Sequence, residues 1–153
     1  MKSANDKYCF FDIDGVLNKS SDWRVKLYSL DKECLRLFCV FVKKYDLKPI
    51  IISSWRSGFI SSGNPNNSIN IKTLEDILSK YDVQIYSSTP ILKGKSRDYE
   101  IKRYLFYHPS EQYVILDDDL SEYEEIPLKL ILTDSNKGLT KNDLSKARKF
   151  LNN

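Results

Sequence analysis

Two short apolar runs in this chain each end abruptly in carboxylates, and that pattern narrows the folds open to it. Tyr8-Cys9-Phe10-Phe11 leads into Asp12-Ile13-Asp14-Gly15-Val16-Leu17-Asn18, and Tyr113-Val114-Ile115-Leu116 leads into Asp117-Asp118-Asp119. A brief, continuous apolar and aromatic run reads as a strand buried on both faces, as in a parallel sheet. A lone charge is costly to bury, so acids at the tips of such strands have a task or a counter-ion. Open α/β sheets bind ligands beyond the carboxyl ends of their strands, where these acids would stand.

The rest of the chain alternates in the same way. Strands are expected at Tyr8–Ile13, Pro49–Ser53, Val83–Tyr86, Gln112–Leu116 and Lys129–Leu132. In Asp31–Tyr45, residues Cys34, Phe38, Phe41, Val42 and Tyr45 form a stripe at helical spacing. Ile71, Leu74, Ile77, Leu78 and Tyr81 mark a second helix, Ser96–Tyr107 a third and Thr140–Leu151 a fourth. Thr140 with Asp143 has the form of a capping box, and Leu139 is placed to staple onto Leu144. The expected fold is α/β: one domain over residues 1–153, with a central, mainly parallel five-stranded sheet flanked by helices. The segments Asn18–Leu30 and Ser57–Asn70 are too short for a large cap domain.

Composition excludes several classes. With 41% hydrophobic and 29% charged residues in 153, the chain is of ordinary globular type. No apolar run approaches the roughly 20 residues of a membrane span. The polar start, Met1 to Lys7, lacks a signal core, so a cytoplasmic location is expected. Cys9, Cys34 and Cys39 form no C-x-x-C pair and read as buried free thiols. A net charge of +3 permits a nucleic-acid partner without arguing for one.

If both acidic tips share one sheet edge, their carboxylates repel unless a hard cation joins them, and oxygen ligands suit Mg²⁺. Asp12 and Asp14 at the first tip and Asp117, Asp118 and Asp119 at the second are the candidate carboxylates. The second strand ends in Ile52-Ser53-Ser54-Trp55-Arg56. Ser53 or Ser54 can hold phosphate oxygens, and Arg56 can clamp them in a fork or make a surface ion pair. Lys93, Lys95 and Arg97 offer a further cation, and at most one or two of them can reach the site. Trp23, Arg24, Tyr28 and Trp55 either stack on nucleotides or pack into the domain.

These segments resemble the four ordered motifs of the haloacid dehalogenase (HAD) superfamily of phosphohydrolases. FFDIDGVLN resembles the first motif, IISSWR the second, Lys93 to Arg97 the third and YVILDDD the fourth. Together with an R-x-x-E-I helix (Arg97, Glu100, Ile101) and a late GLT (Gly138 to Thr140), they resemble the HAD-type domains associated with RNA repair proteins. The resemblance implies a Rossmann-like fold with Asp12 as nucleophile through an aspartyl-phosphate, and Asp14 as general acid and base. It implies Mg²⁺ held by Asp12, the Asp14 carbonyl and Asp117 or Asp118, with Arg97, or else Lys95, as the third-motif cation. The implied substrate is a phosphorylated RNA or DNA end. Free nucleotides, sugar phosphates or phosphoproteins are the alternative, and a non-catalytic binding module is a third reading.

Overall fold

The apolar runs assemble into a five-stranded sheet in which every strand lies parallel to its neighbours. The computed structural model describes residues 6–124 and 129–151; the first five residues of the polar start lie outside them. The strands are β1 (Tyr8–Phe11), β2 (Lys48–Ile51), β3 (Ser87–Ser88), β4 (Tyr113–Asp117) and β5 (Leu130–Leu132). They stand in the order β3-β2-β1-β4-β5. Helices α1 (Ser20–Val25), α2 (Lys32–Lys44), α3 (Ile69–Ser79), α4 (Arg97–Tyr107) and α5 (Lys141–Ala147) connect or follow them.

Alternation along β1 divides the core between the two faces of the sheet. Tyr8 and Phe10 pack with Ile50, Ile52, Ile115 and, from α4, Ile101 and Tyr104. Cys9 and Phe11 turn the other way, onto a cluster that includes Phe38 of α2, Leu74 of α3 and Ala147 of α5. Phe10 meets Tyr104 edge-on with centroids 5.7 Å apart, and Phe11 lies 4.8 Å from Phe38. Burial on both faces is why the strands read as unbroken apolar runs.

The chain steps outward from β1 to β2 and β3, then returns to lay β4 on the other side of β1. That reversal opens a crevice at the carboxyl ends of β1 and β4. Phe11 is level with both Ile51 and Leu116, so the three strands end together. The Asp12 N–H donates to the Leu116 carbonyl at 2.9 Å, and the Ile52 N–H to Phe11 at 3.0 Å. Asp12 therefore stands level with Asp117, the last residue of β4, and with Ile52, which Ser53 follows.

Three segments differ from the sequence reading. Val83–Tyr86 is not a strand: Asp82 takes a left-handed backbone (φ 60°), and the Val83 N–H closes α3 by donating to Leu78 at 3.1 Å. Val83 and Ile85 are apolar because they are buried with α3 in one core cluster, and the third strand forms only at Ser87–Ser88. The six residues of α1 are too few to show a helical stripe and fall in a segment read as a connection. The last helix stops at Ala147 and tightens into a 3₁₀ turn at Arg148–Phe150, while Thr140 and Asp143 make the reciprocal capping box. All three cysteines are buried and free, and burial pushes the Cys34 and Cys39 thiols up to about 12. Among the described residues no helix is long and apolar enough to cross a membrane.

Candidate active site

The turn after β1 is built around one side-chain amide. Asn18 is buried; its Oδ1 accepts from the Gly15 N–H at 2.9 Å. Its Nδ2 donates to Asp14 Oδ1 at 2.9 Å and to the Ser29 carbonyl at 2.8 Å. Asp14 is thus held by a neutral group. Gly15 has φ 85°, and a Cβ there would come within 2.1 Å of Asp118 Oδ2. Glycine is needed both for the left-handed turn and to let that carboxylate approach. Thr133, just past β5, donates its hydroxyl to the Gly15 carbonyl at 2.7 Å. The GLT segment supports the same turn: Leu139 N–H donates to Val16 at 2.8 Å. A Cβ on Gly138 would meet Cys34 Sγ at 2.6 Å.

Arg97, first residue of α4, joins the two acidic tips. Its Nη1 lies 3.1 Å from Asp12 Oδ2 and 3.0 Å from Asp117 Oδ1. Burial works against its charge, but Asp12 and Asp117 outweigh burial and raise its pKa. Asp117 is fully buried and already crowded: Oδ2 accepts from the Tyr123 hydroxyl at 2.8 Å and Oδ1 from the Asp119 N–H at 3.1 Å. Glu122 completes the mount by accepting from the Arg97 N–H at 3.0 Å.

Asp12, Asp117 and Asp118 each offer an oxygen, and these oxygens lie within 4.8 Å of one another. Burial pushes the Asp12 carboxyl well above the usual carboxylate range; Arg97 opposes the shift and Asp117 adds to it. Burial also raises Asp118, against the hydrogen bond it shares with Asp12. Carboxyls this close share either a proton or a cation. An oxygen-only donor set of this kind fits Mg²⁺.

The acids open onto a pocket of about 390 Å³ lined by Asp12, Asp14, Ser53, Ser54, Arg97, Asp118 and Asp119. Ser53 Oγ accepts from the Trp55 N–H at 3.1 Å, while Ser54 is exposed at the start of a 3₁₀ turn, Ser54–Gly58. A larger hollow of about 560 Å³, between the Ser62–Pro65 stretch and α3, holds none of these residues.

The sequence matches the profile of the HAD domain in Swiss Army Knife RNA repair proteins over residues 8–144. The chain belongs to this family. No curated protein and no solved structure matches it. The HAD domain carries the two traits on which the resemblance rested, the ordered motifs and the α/β sheet, and its two inserts leave no room for a large cap.

Within this HAD domain, three of the four candidate cations do not line the pocket; Arg97 alone of them does. Lys93 and Lys95 are exposed outside it, and Lys95 instead lies 4.8 Å from the centre of the Tyr99 ring. Arg56 is buried and turned away. Its Nε donates to the Thr89 carbonyl at 3.2 Å, and its Nη1 to Ile52 at 2.7 Å and Ser53 at 3.0 Å. Its Nη2 donates to Pro90 at 3.4 Å and to Glu100 Oε1 at 2.6 Å. All its donors are consumed, so the expected phosphate fork is replaced by an internal staple. Glu100 Oε2 accepts from the Leu92 N–H at 2.8 Å, which ties the loop before α4 to the same staple. The SSWR and R-x-x-E-I segments are thus one device that seats Arg97.

Asn18, Glu100, Tyr123 and Thr133 had no assigned role in the sequence reading. Asn18 closes the FFDIDGVLN motif and Glu100 stands in R-x-x-E-I. Nothing local distinguishes Tyr123 or Thr133, whose partners are the Asp117 carboxylate and the Gly15 carbonyl.

Proposed function

We propose that this HAD domain is a Mg²⁺-dependent phosphohydrolase that removes a terminal phosphate from nucleic acid through an aspartyl-phosphate on Asp12. The observation that carries this reading is the shared pocket in which Asp12, Asp14, Ser53, Ser54 and Arg97 converge. Asp12 Oδ attacks phosphorus and the bond to the ester oxygen breaks. Asp14, oriented by Asn18, gives its proton to that leaving oxygen. Asp14 then takes a proton from water as the water attacks the phosphorus, which releases phosphate and restores Asp12. Arg97 and the Ser53–Ser54 hydroxyls and N–H groups stabilise the equatorial oxygens.

Asp12 and Asp118, with the Asp14 carbonyl, are the groups that would hold Mg²⁺; Asp117 is spent on Arg97 and Tyr123 and serves as their anchor. When bound, the ion supplies charge neutralisation between nucleophile and phosphate. An uncapped pocket and membership of a family named for RNA repair support a polymer end as substrate.

The test is a release assay with RNA and DNA oligomers carrying a 5′- or 3′-phosphate, beside nucleotides, sugar phosphates and a phosphopeptide. Mg²⁺-dependent release of phosphate from oligomer ends is the expected result. Preference for any of the other substrates would reassign the substrate class, and no release from any of them would refute the enzymatic reading.

Metal binding should also depend on pH in a stated direction. The raised Asp12 and Asp118 pKa values mean that the folded protein holds protons more tightly than the unfolded chain. Metal-free stability therefore falls as pH rises from the ordinary carboxylate range through the raised values. Mg²⁺ replaces the proton, so its stabilisation should be small at pH 5 and larger at pH 8. At a hundredfold excess over Kd the gain is about 2.7 kcal/mol, roughly 5–10 °C in Tm for a chain of this size. Melting curves at both pH values, with and without Mg²⁺, decide it; equal shifts would remove Asp12 and Asp118 as the proton-exchanging ligands.

A further inference from the structure

Beside the pocket, the segment between Asn18 and α2 presents an unusual lip. Val25, Leu27 and Tyr28 are 89%, 66% and 46% exposed. Arg24 and Lys26 are exposed among them; of the segment's two acids, Asp22 accepts from the Lys19 N–H at 2.8 Å, and Asp31 caps α2 and lies 3.7 Å from the Lys19 ammonium. Tyr28 adopts φ 67°, a left-handed backbone that bulky side chains rarely occupy and that persists only where surrounding contacts enforce it.

Those contacts lead to the candidate active site by two routes. The Tyr28 ring stands edge-on to Trp55, with centroids 5.1 Å apart and planes at 77°. Trp55 is buried, at 8% exposure, and directly follows Ser54 of the pocket. Next to Tyr28, the Ser29 carbonyl accepts from the same Asn18 amide that holds Asp14. The ring is therefore fixed on a buried aromatic, one residue removed from a group tied to Asp14, with nearly half of its surface in water.

We propose that Tyr28 is a stacking platform for the nucleobase of the terminal nucleotide whose phosphate enters the pocket, with Arg24 and Lys26 against the adjoining backbone phosphates. The proposal rests on the phosphohydrolase reading above and names what that site recognises beside the phosphate. A flat, preplaced ring flanked by cations suits any base, because every base offers a π-face. It offers no comparable partner to a sugar phosphate.

The experiment compares two phosphorylated RNA oligomers, identical except that one has an abasic terminal residue. Wild type, Tyr28→Ala and Tyr28→Phe are assayed with Mg²⁺ on both oligomers and on glycerol 2-phosphate, and binding of both oligomers is followed by fluorescence anisotropy. Wild type should favour the base-bearing end by about 5- to 150-fold in KM or Kd, the range expected of one base–aromatic stack. Tyr28→Phe should keep that preference, and Tyr28→Ala should lose it, so that the two oligomers become equivalent in KM and Kd. A wild type without the preference, or a Tyr28→Ala chain that retains it, overturns the platform while turnover of the small ester leaves the phosphohydrolase reading standing. If no substrate is turned over, that reading falls, and the anisotropy ratio alone sustains or overturns the platform.

Discussion

Replacing Asp12 by asparagine should abolish phosphate release, by at least about 10⁴-fold in kcat, while leaving the fold intact. The size follows from removing a nucleophile that other groups cannot replace. The amide keeps the shape of the carboxyl but cannot form the acyl-phosphate bond. The fold should survive because the removed charge is one that burial disfavours and that Asp117 and Asp118 repel. Arg97 keeps its contacts with both oxygens of Asp117 at 3.0 and 3.1 Å. Steady-state turnover of a phosphorylated oligomer, with circular dichroism and Tm on the same sample, checks both halves. Acid-quenched wild type should yield a phosphorylated peptide containing Asp12, and the variant none. Near-normal turnover would remove Asp12 as nucleophile.

The second large effect is on stability. Arg56→Ala should cost about 3–5 kcal/mol, because it strands a buried carboxylate. The Arg56 and Glu100 side chains are only 7% and 6% exposed, so water does not screen the pair. For a chain of this size the loss corresponds to roughly 6–20 °C in Tm. Activity should fall by the same factor on oligomers and on glycerol 2-phosphate, since the staple acts by seating α4 and Arg97. Selective loss on oligomers would return Arg56 to the phosphate site. Replacing both partners, as Arg56→Met with Glu100→Leu, should recover much of the lost stability, because no uncompensated charge remains. Thermal melts of the single and double variants measure it.

The contrast between Arg56 and Arg97 marks how far the sequence could be read. Both follow strand tips, and both are of a type that clamps phosphate. The R-x-x-E-I resemblance singles out Arg97, but the residues around Arg56 leave it open between a phosphate fork and an ion pair. Arg56 is consumed because Thr89, Pro90 and Glu100, more than thirty residues away, close around it. Arg97 reaches Asp12 and Asp117 because α4 begins at that residue, capped by Ser96. The acids behave likewise: the triplet after β4 was legible, but its division of labour was not. Asp117 faces inward to Tyr123, and Asp118 stands against the bare Cα of Gly15.

By itself, the sequence determined the parallel α/β sheet, the acidic tips of β1 and β4, the capping box of the last helix and the family. These follow from local rules: strand and helix periodicity, the cost of burying charge, and side chains that bond their own turn. The tertiary structure alone decided that Arg56 is withdrawn from the pocket, which acid meets Tyr123, and which aromatic stays in water. Those outcomes depend on groups far apart in the chain competing for the same donors and the same buried space, and no local pattern records the winner.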